Sequence, residues 1–186
     1  MRPFHHPVPA RLVFSILATT WEFWPELKRD LENEFGPVAS SLGPFPFIWT
    51  DYYNAELGGP PERRFISFQR LVPQDHLATI KLRALELEKL WARTDGGRRC
   101  NLDPGLLSHD RFVLASVKNY THRIYLGHGV FADLTLIYRK GAWRILDWTY
   151  PGYADKNMLD HLTVLRQAYG EEIKRLGLTP TMIDQP

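Results

Sequence analysis

Cysteine is almost absent from this sequence, and long apolar runs are absent altogether. Cys100 is the only cysteine among 186 residues, which excludes an intramolecular disulfide and a cysteine-based zinc site. No stretch approaches the roughly 18 apolar residues of a membrane helix, and the proline-rich start lacks the basic and apolar segments of a signal peptide. The sequence therefore predicts a cytoplasmic protein that is neither secreted nor inserted in a membrane.

An excess of one charge is also lacking. Lys and Arg number 23 against 21 Asp and Glu, for a formal net charge of +2, so any nucleic-acid role must rest on a local patch. Hydrophobic residues, in contrast, make up 44% of the chain and aromatics 13%. This is enough for one core of ordinary size. We expect a single domain over residues 1–186, with residues 1–10 forming an irregular arm.

Apolar spacing predicts a first buried strand and three long helices. Residues 12–18 form a short apolar run of strand-forming side chains, and a further strand is expected over residues 64–71. Three-to-four spacing predicts helices ending at Phe35, near Arg93 and near Leu176, with Thr19 or Thr20 capping the first. We expect an α+β fold with about seven strands in a mixed or mainly antiparallel sheet, helices packed on one face, and a ferredoxin-like N-terminal half.

Residues 110–148 predict an antiparallel meander whose register follows from gathering apolar side chains on one face. The turns are placed at 118–121, 127–129 and 140–141. This register sets Arg123 opposite Asp133 and His122 on the apolar face. The other face then collects the polar side chains Ser116, Lys118, Arg123, Tyr125, Asp133 and Arg144.

That cation-rich face has two interpretations. In the first, Arg123 and Asp133 form a cross-strand ion pair on a solvated surface, worth under about 1 kcal/mol. In the second, Lys118, Arg123 and Arg144 bind an anion or a phosphodiester, and Tyr125 supplies a ring for stacking. The sequence leaves both open.

Two residues are candidates for catalysis. Asp103, in the predicted Pro-Gly turn Asn101-Leu-Asp-Pro-Gly, can bind a metal, act as a base or hold a ribose hydroxyl, or it can form an Asx turn. His122 is a candidate general base or a buried structural histidine. Cys100 has no identifiable base beside it, which favours an inert thiol.

Two other polar groups have competing interpretations. Tyr52 and Tyr53, with Asp51, Glu56 and the following Arg63 and Arg64, can form a lid or a wall that orients a substrate, or the two tyrosines can divide between core and surface. Six charged residues fall outside the apolar stripe of the second helix, which indicates a solvated face with local ion pairs: Lys81, Arg83, Glu86, Glu88, Lys89 and Arg93.

Several blocks of the chain resemble a known family in the same order. They span residues 47–58, 64–68, 99–107, 113–127, 130–138 and 148–153. Together they are similar to the DUF4416 family, a prokaryotic domain of unknown function. The resemblance implies no activity, cofactor or partner, and the chain has no Gly-x-x-x-x-Gly-Lys-Ser/Thr phosphate loop.

Three functional hypotheses follow. The first is a domain that binds or acts on a phosphorylated small molecule or RNA, seated between residues 101–105 and the cationic face. The second is a metal-assisted hydrolase or transferase using Asp103, His122 and Asp133. The third is a protein-interaction module whose contact surface is the aromatic segment Phe45–Tyr53. Whether the protein is an enzyme, and with which cofactor, stays open.

Overall fold

The computed structural model describes residues 7–178, which form one sheet of eight strands and five helices. The strands are β1 (Ala10–Ala18), β2 (Val38–Pro46), β3 (Glu62–Val72), β4 (Cys100–Leu107), β5 (Arg111–Ser116), β6 (Arg123–Gly127), β7 (Val130–Arg139) and β8 (Ala142–Ile145). The helices are α1 (Trp24–Phe35), α2 (Asn54–Leu57), α3 (Leu77–Leu90), α4 (Pro151–Ala154) and α5 (Lys156–Arg175). Within this part of the chain, no helix is long and apolar enough to cross a membrane.

The first half of the sheet has ferredoxin-like topology. The strand order is β2-β3-β1-β4-β5-β7-β6, β8 also pairs with β7, and every pairing is antiparallel. With α1 between β1 and β2 and α3 between β3 and β4, the first four strands complete a β-α-β-β-α-β unit. The predicted α+β class, antiparallel sheet and ferredoxin-like half are therefore confirmed.

Helices cover both faces of the sheet, rather than the one face expected. Strand β1 is buried at every position, and a strand with no solvated face needs cover on both sides. Phe14 and Ile16 pack in the core beneath α1 and α3, whereas Val13 packs in a second core with Met158 and Leu162 of α5. The continuous apolar run was the signal for this two-sided arrangement.

Helices α1 and α5 begin in different ways, one with a proline and the other with an aspartate cap. Helix α5 begins after Asp155, whose carboxylate accepts a hydrogen bond from the Asn157 N–H at 2.9 Å, as its N-cap position predicts. Helix α1 begins at Trp24 without a side-chain cap and with proline in its first turn. The expected cap at Thr19 or Thr20 is wrong, because the fixed backbone angle of Pro25 sets the start instead.

The strands of the predicted meander are present, but one pairing differs. Strand β5 pairs with β7 rather than with β6, so β5 and β6 lie on opposite edges of β7. Arg123 lies opposite Asp133 as predicted. The connection to β7 is shorter than expected, because His128 and Gly129 both adopt positive φ angles of a two-residue turn. Gly127, not Leu126, therefore faces Val130.

A bulge in β7 moves one predicted residue off the polar face. The register with β5 shifts between the pairs Phe112–Leu136 and Val113–Leu134, which leaves Thr135 as an extra residue. A bulge of one residue reverses the alternation of the residues that follow it. Arg144, which pairs with Ile137 beyond the bulge, is exposed and does not share the face of Asp133.

The predicted irregular arm, residues 1–10, can be compared with the structure only from residue 7 onward. Residues 1–6 lie outside the described residues, residues 7–9 are irregular, and β1 begins at Ala10.

Candidate functional site

The sheet opens between β4 and β5. These strands pair only from Gly105 to Leu107 on the β4 side, so the backbone of Leu102 has no partner strand on this edge. Two side chains of α3 take that place. Lys81 Nζ donates to the Leu102 carbonyl oxygen at 2.8 Å, and the Leu102 N–H donates to Glu88 Oε1 at 2.6 Å. Helix α3 therefore substitutes for a strand at this point.

The burial of Lys81 and Glu88 corrects the expected solvated face. Each is only 3% exposed, although neither lies in the apolar stripe. A buried charge is tolerated when it is paired and hydrogen-bonded. Both conditions hold here, because each side chain contacts the Leu102 backbone and an opposite charge.

The predicted Pro-Gly turn at residues 101–105 is wrong, because these residues belong to β4. Asp103 lies opposite Ser15 and Asn101 opposite Leu17 of β1. Proline is compatible with a strand where its nitrogen faces an unpaired edge, and the opening beside Leu102 provides one for Pro104. Asp103 thus points from a regular strand rather than from an Asx turn.

A cavity of about 420 Å³ lies where β4 and β5 separate. Its volume falls within the range of about 300–1,000 Å³ that is typical of small-molecule sites. It brings together most of the residues singled out from the sequence: Tyr52, Tyr53, Asn101, Asp103, Ser116, Lys118, His122, Arg123 and Asp133. Two predicted residues do not line it. Arg144 lies beyond the bulge, and Tyr125 is 61% exposed nearer the hairpin tip.

The sequence interpretation missed several lining residues. Lys81 and Arg98 contribute cations, and Tyr150 and Tyr153 contribute hydroxyls. Arg63, which the sequence offered for a substrate-orienting wall, also lines the cavity. It lies two residues before the apolar Phe65 and therefore on the same buried face of β3. Arg98 and Tyr150 come from irregular segments, where alternation gives no direction.

Arg98 joins two acidic residues to the strand. Its Nε and Nη2 atoms bind the two carboxylate oxygens of Glu56 at 2.6 Å each, and Nη1 donates to Glu88 at 2.9 Å and to Asn101 Oδ1 at 2.8 Å. A bidentate guanidinium–carboxylate pair fixes geometry as well as charge. Arg98 therefore anchors the short helix α2 against β4 at the rim of the cavity.

Asp103 is held as an anion in this network. Lys81 Nζ lies 2.9 Å from Oδ1, and Asn101 Nδ2 donates to Oδ2 at 2.6 Å. Burial opposes the negative charge, but Lys81, Asn101 and Arg98 outweigh it, so the pKa of Asp103 is lowered. For Glu88, burial dominates and raises the pKa, despite the nearby Lys81 and Arg98.

The predicted Arg123–Asp133 pair forms, but inside the cavity wall rather than on a solvated surface. Arg123 Nε donates to Asp133 Oδ2 at 2.8 Å, and its Nη1 donates to Ser116 Oγ at 2.9 Å. The two side chains are 17% and 12% exposed. The pair therefore holds β5, β6 and β7 together at this end of the cavity.

His122 does not lie on the apolar face. It precedes the first residue of β6, so strand alternation does not govern its direction. Its ring lies between the rings of Tyr120 and Trp148, with centroids 6.1 and 5.3 Å away, and its Nε2 atom is 3.3 Å from Asp133. These contacts fix the imidazole at the cavity wall.

Arg63 is a buried cation without a carboxylate. It is 2% exposed, and it forms no salt bridge with any acidic side chain of residues 7–178. Its Nη1 atom donates to the Gly152 carbonyl oxygen at 2.8 Å, and its Nε atom has no partner within residues 7–178. Its guanidinium lies 4.6, 5.5 and 4.5 Å from the ring centroids of Phe47, Trp49 and Tyr153, so aromatic faces rather than a carboxylate accompany the charge. A cation in a cavity wall that no carboxylate neutralises is an anion-binding feature.

A second cation and three phenols complete the wall. Lys118 Nζ lies 3.9 Å from the Tyr52 ring centroid, and it too lacks a carboxylate partner among the described side chains. Burial raises the pKa of Tyr53, Tyr150 and Tyr153, so these phenols remain proton donors near neutral pH. The hydroxyl of Tyr150 is buried without a partner in the described structure.

Cys100 lies under the site but is not part of it. Its side chain is fully buried, and burial, with a smaller effect of Glu88, raises the pKa of the thiol to about 12. Because the thiolate is the reactive form, we expect no reaction with Ellman's reagent in the native protein at neutral pH and one thiol per chain after unfolding in guanidinium. Rapid labelling of native protein would contradict this.

The other two sequence hypotheses receive little support from the geometry. Among residues 7–178, no three His, Cys, Asp or Glu side chains are grouped to hold a metal ion, and Lys81 occupies one side of Asp103. In the aromatic segment Phe45–Tyr53, Phe47 is 5% exposed and packs with Leu17 and Leu57. Tyr52 alone among its tyrosines is widely exposed, at 60%.

Comparison with known proteins identifies a family for this chain. The family model described as "Domain of unknown function (DUF4416)" matches residues 8–169, a span that includes every lining residue of the cavity. No curated protein and no solved structure matches the chain.

Proposed function

We propose that this chain, which belongs to the DUF4416 family of domains of unknown function, binds a small phosphorylated molecule in the cavity between β4 and β5. The observation that carries the proposal is Arg63, a buried guanidinium that faces the cavity without a carboxylate. Three aromatic rings stabilise this charge, but no carboxylate among the described residues neutralises it. A phosphate that binds Arg63 neutralises the charge and forms charge-assisted hydrogen bonds.

The neighbouring side chains suit the same ligand. Lys118 adds a second cation without a carboxylate partner, and the Tyr150 hydroxyl offers a donor close to Phe47 and Arg63. The other cations of the wall are already paired, Lys81 with Asp103, Arg98 with Glu56 and Glu88, and Arg123 with Asp133. The charge left for a ligand is therefore positive.

Size favours a small molecule over RNA. A cavity of about 420 Å³ accommodates a molecule of metabolite or mononucleotide dimensions, whereas an RNA segment needs an open basic groove with free stacking rings. The exposed residues Tyr125 and Arg144, which were expected to serve such a groove, lie outside the cavity. We place this function in the cytoplasm, on the basis of the single unpaired cysteine.

The experiment is a titration of the full chain with inorganic phosphate, ribose 5-phosphate and AMP by calorimetry, supported by thermal shift. We expect at least one probe to bind and to raise the melting temperature. In Arg63→Met the affinity should fall by about 30-fold or more, because removing one partner of a buried charge interaction costs at least about 2 kcal/mol.

Arg64→Met is the matched control. Arg64 is the next residue of β3, so it points to the opposite face, where its guanidinium lies 4.9 and 4.6 Å from the ring centroids of Trp21 and Trp24. The control removes the same charge from the same strand and should bind within about two-fold of wild type. Equal binding by Arg63→Met and wild type, or no binding of any probe to wild type, would refute the proposal.

A further inference from the structure

Asp103 is a carboxylate in the cavity with room for a ligand. Its side chain is 29% exposed, whereas that of Asp133 is 12% exposed and already contacts Arg123, His122 and Thr135. An ionised carboxylate offers about four acceptor sites and no donor. Lys81 and Asn101 use one oxygen each, so both oxygens can accept a further hydrogen bond.

The sheet register fixes how far this acceptor lies from the phosphate-binding cation. Leu17 of β1 lies opposite Arg63 on one side and opposite Asn101 on the other. Two strand spacings separate Arg63 from Asn101, about 10 Å between backbones, and Asp103 is two residues further along the same face of β4. One small molecule in the cavity can therefore contact both ends, with an anion at one and hydrogen-bond donors at the other.

We propose that the ligand is a phosphorylated sugar, with its phosphate at Arg63 and its hydroxyl groups donating to Asp103. This inference rests on the proposed function and adds the chemical class of the ligand. Hydroxyl groups satisfy an acceptor-only carboxylate, whereas a second phosphate at Asp103 would meet a like charge. The ligand is therefore a monophosphate with a polyhydroxylated body, rather than a polyphosphate.

The aromatic side chains of the cavity agree with a sugar rather than a stacked base. Tyr150 stacks on Phe47 with centroids 5.7 Å apart, Lys118 lies over Tyr52, and His122 lies between two rings. Each of these contacts already occupies one face of a ring and reduces the area on which a nucleobase can stack. A sugar hydroxyl at Asp103 displaces none of them.

The test compares ribose 5-phosphate with pentyl phosphate, which has five carbons and one phosphate but no sugar hydroxyl. Calorimetry on wild type should show that ribose 5-phosphate binds at least about ten-fold more tightly than pentyl phosphate, because one hydrogen bond to a charged group contributes that much affinity. Asp103→Asn, checked for folding by circular dichroism, should weaken ribose 5-phosphate about ten-fold more than pentyl phosphate. Arg63→Met should lose both ligands.

The outcomes separate this inference from the proposed function. Equal affinity of wild type for the two phosphates, or an equal loss of both in Asp103→Asn, overturns the sugar assignment while Arg63-dependent phosphate binding stands. Tighter binding of AMP than of ribose 5-phosphate, unchanged in Asp103→Asn, also overturns it in favour of base recognition. Binding that is insensitive to Arg63→Met overturns the proposed function itself.

Discussion

Replacing Lys81 with alanine is expected to lower the free energy of unfolding by about 3–5 kcal/mol, the cost of breaking a buried ion pair by removal of one partner. The ammonium group holds two acceptors, the Leu102 carbonyl oxygen and Asp103 Oδ1. Alanine leaves the carbonyl without a partner on the open edge of β4 and leaves Asp103 without its paired cation. Urea unfolding, followed by tryptophan fluorescence, measures the change.

The control for this variant is Lys156→Ala. Lys156 also pairs with an aspartate, Asp160, but the two side chains are 85% and 63% exposed, so its removal should leave the unfolding midpoint unchanged. The two variants delete the same chemical group and differ mainly in burial. Similar unfolding curves for both would mean that Lys81 does not stand in for a strand partner.

Lys81 also shows why part of the site was not predictable from the sequence. On a helical projection it falls outside the apolar stripe, and such lysines are nearly always solvated. Its burial depends on Leu102, 21 residues away. There β4 is not paired with β5, so the Leu102 backbone is open to the Lys81 side chain. No local pattern records that two strands separate, because strand pairing is a long-range property.

The part of the site that could be predicted lies where the alternation of apolar residues agrees with the strand pairing in the structure. Arg123 opposite Asp133 follows from the gathering of apolar residues on one face, and the structure has that pair. Arg144 fails by the same reasoning, because the bulge at Thr135 reverses the alternation behind it. A bulge of one residue changes the face of every later side chain. The residues around Thr135 include no glycine or proline from which the bulge could be predicted.

The N-terminal half was more accessible because its signals are local. The run of apolar residues in β1 and the end of helix α1 at Gly36 each depend on only a few neighbouring residues. Asn101-Leu-Asp-Pro-Gly misled for the opposite reason. Pro-Gly favours a turn in isolation, yet pairing with β1 along the whole of β4 outweighs that preference.

The stability of the fold should depend on the charge of Asp103. Because its pKa is lowered in the folded state from the usual 3.8, the ionised carboxylate stabilises the fold above that value, and the contribution is lost as the pH falls through the folded-state pKa. Asp103→Asn keeps the size but not the charge. We expect it to cost about 2–3 kcal/mol at neutral pH, as for a hydrogen bond between charged groups.

The difference between wild type and Asp103→Asn should then shrink towards zero as the pH falls well below 3.8. Urea midpoints at a series of pH values measure it, and Asp160→Asn, which alters an exposed pair, should follow wild type throughout. Glu88, whose raised pKa acts in the opposite direction, shares Lys81 and Arg98 with Asp103, so its titration is part of the measured difference. A difference that stays constant with pH would contradict the prediction, because it would show that ionisation of Asp103 does not stabilise the fold.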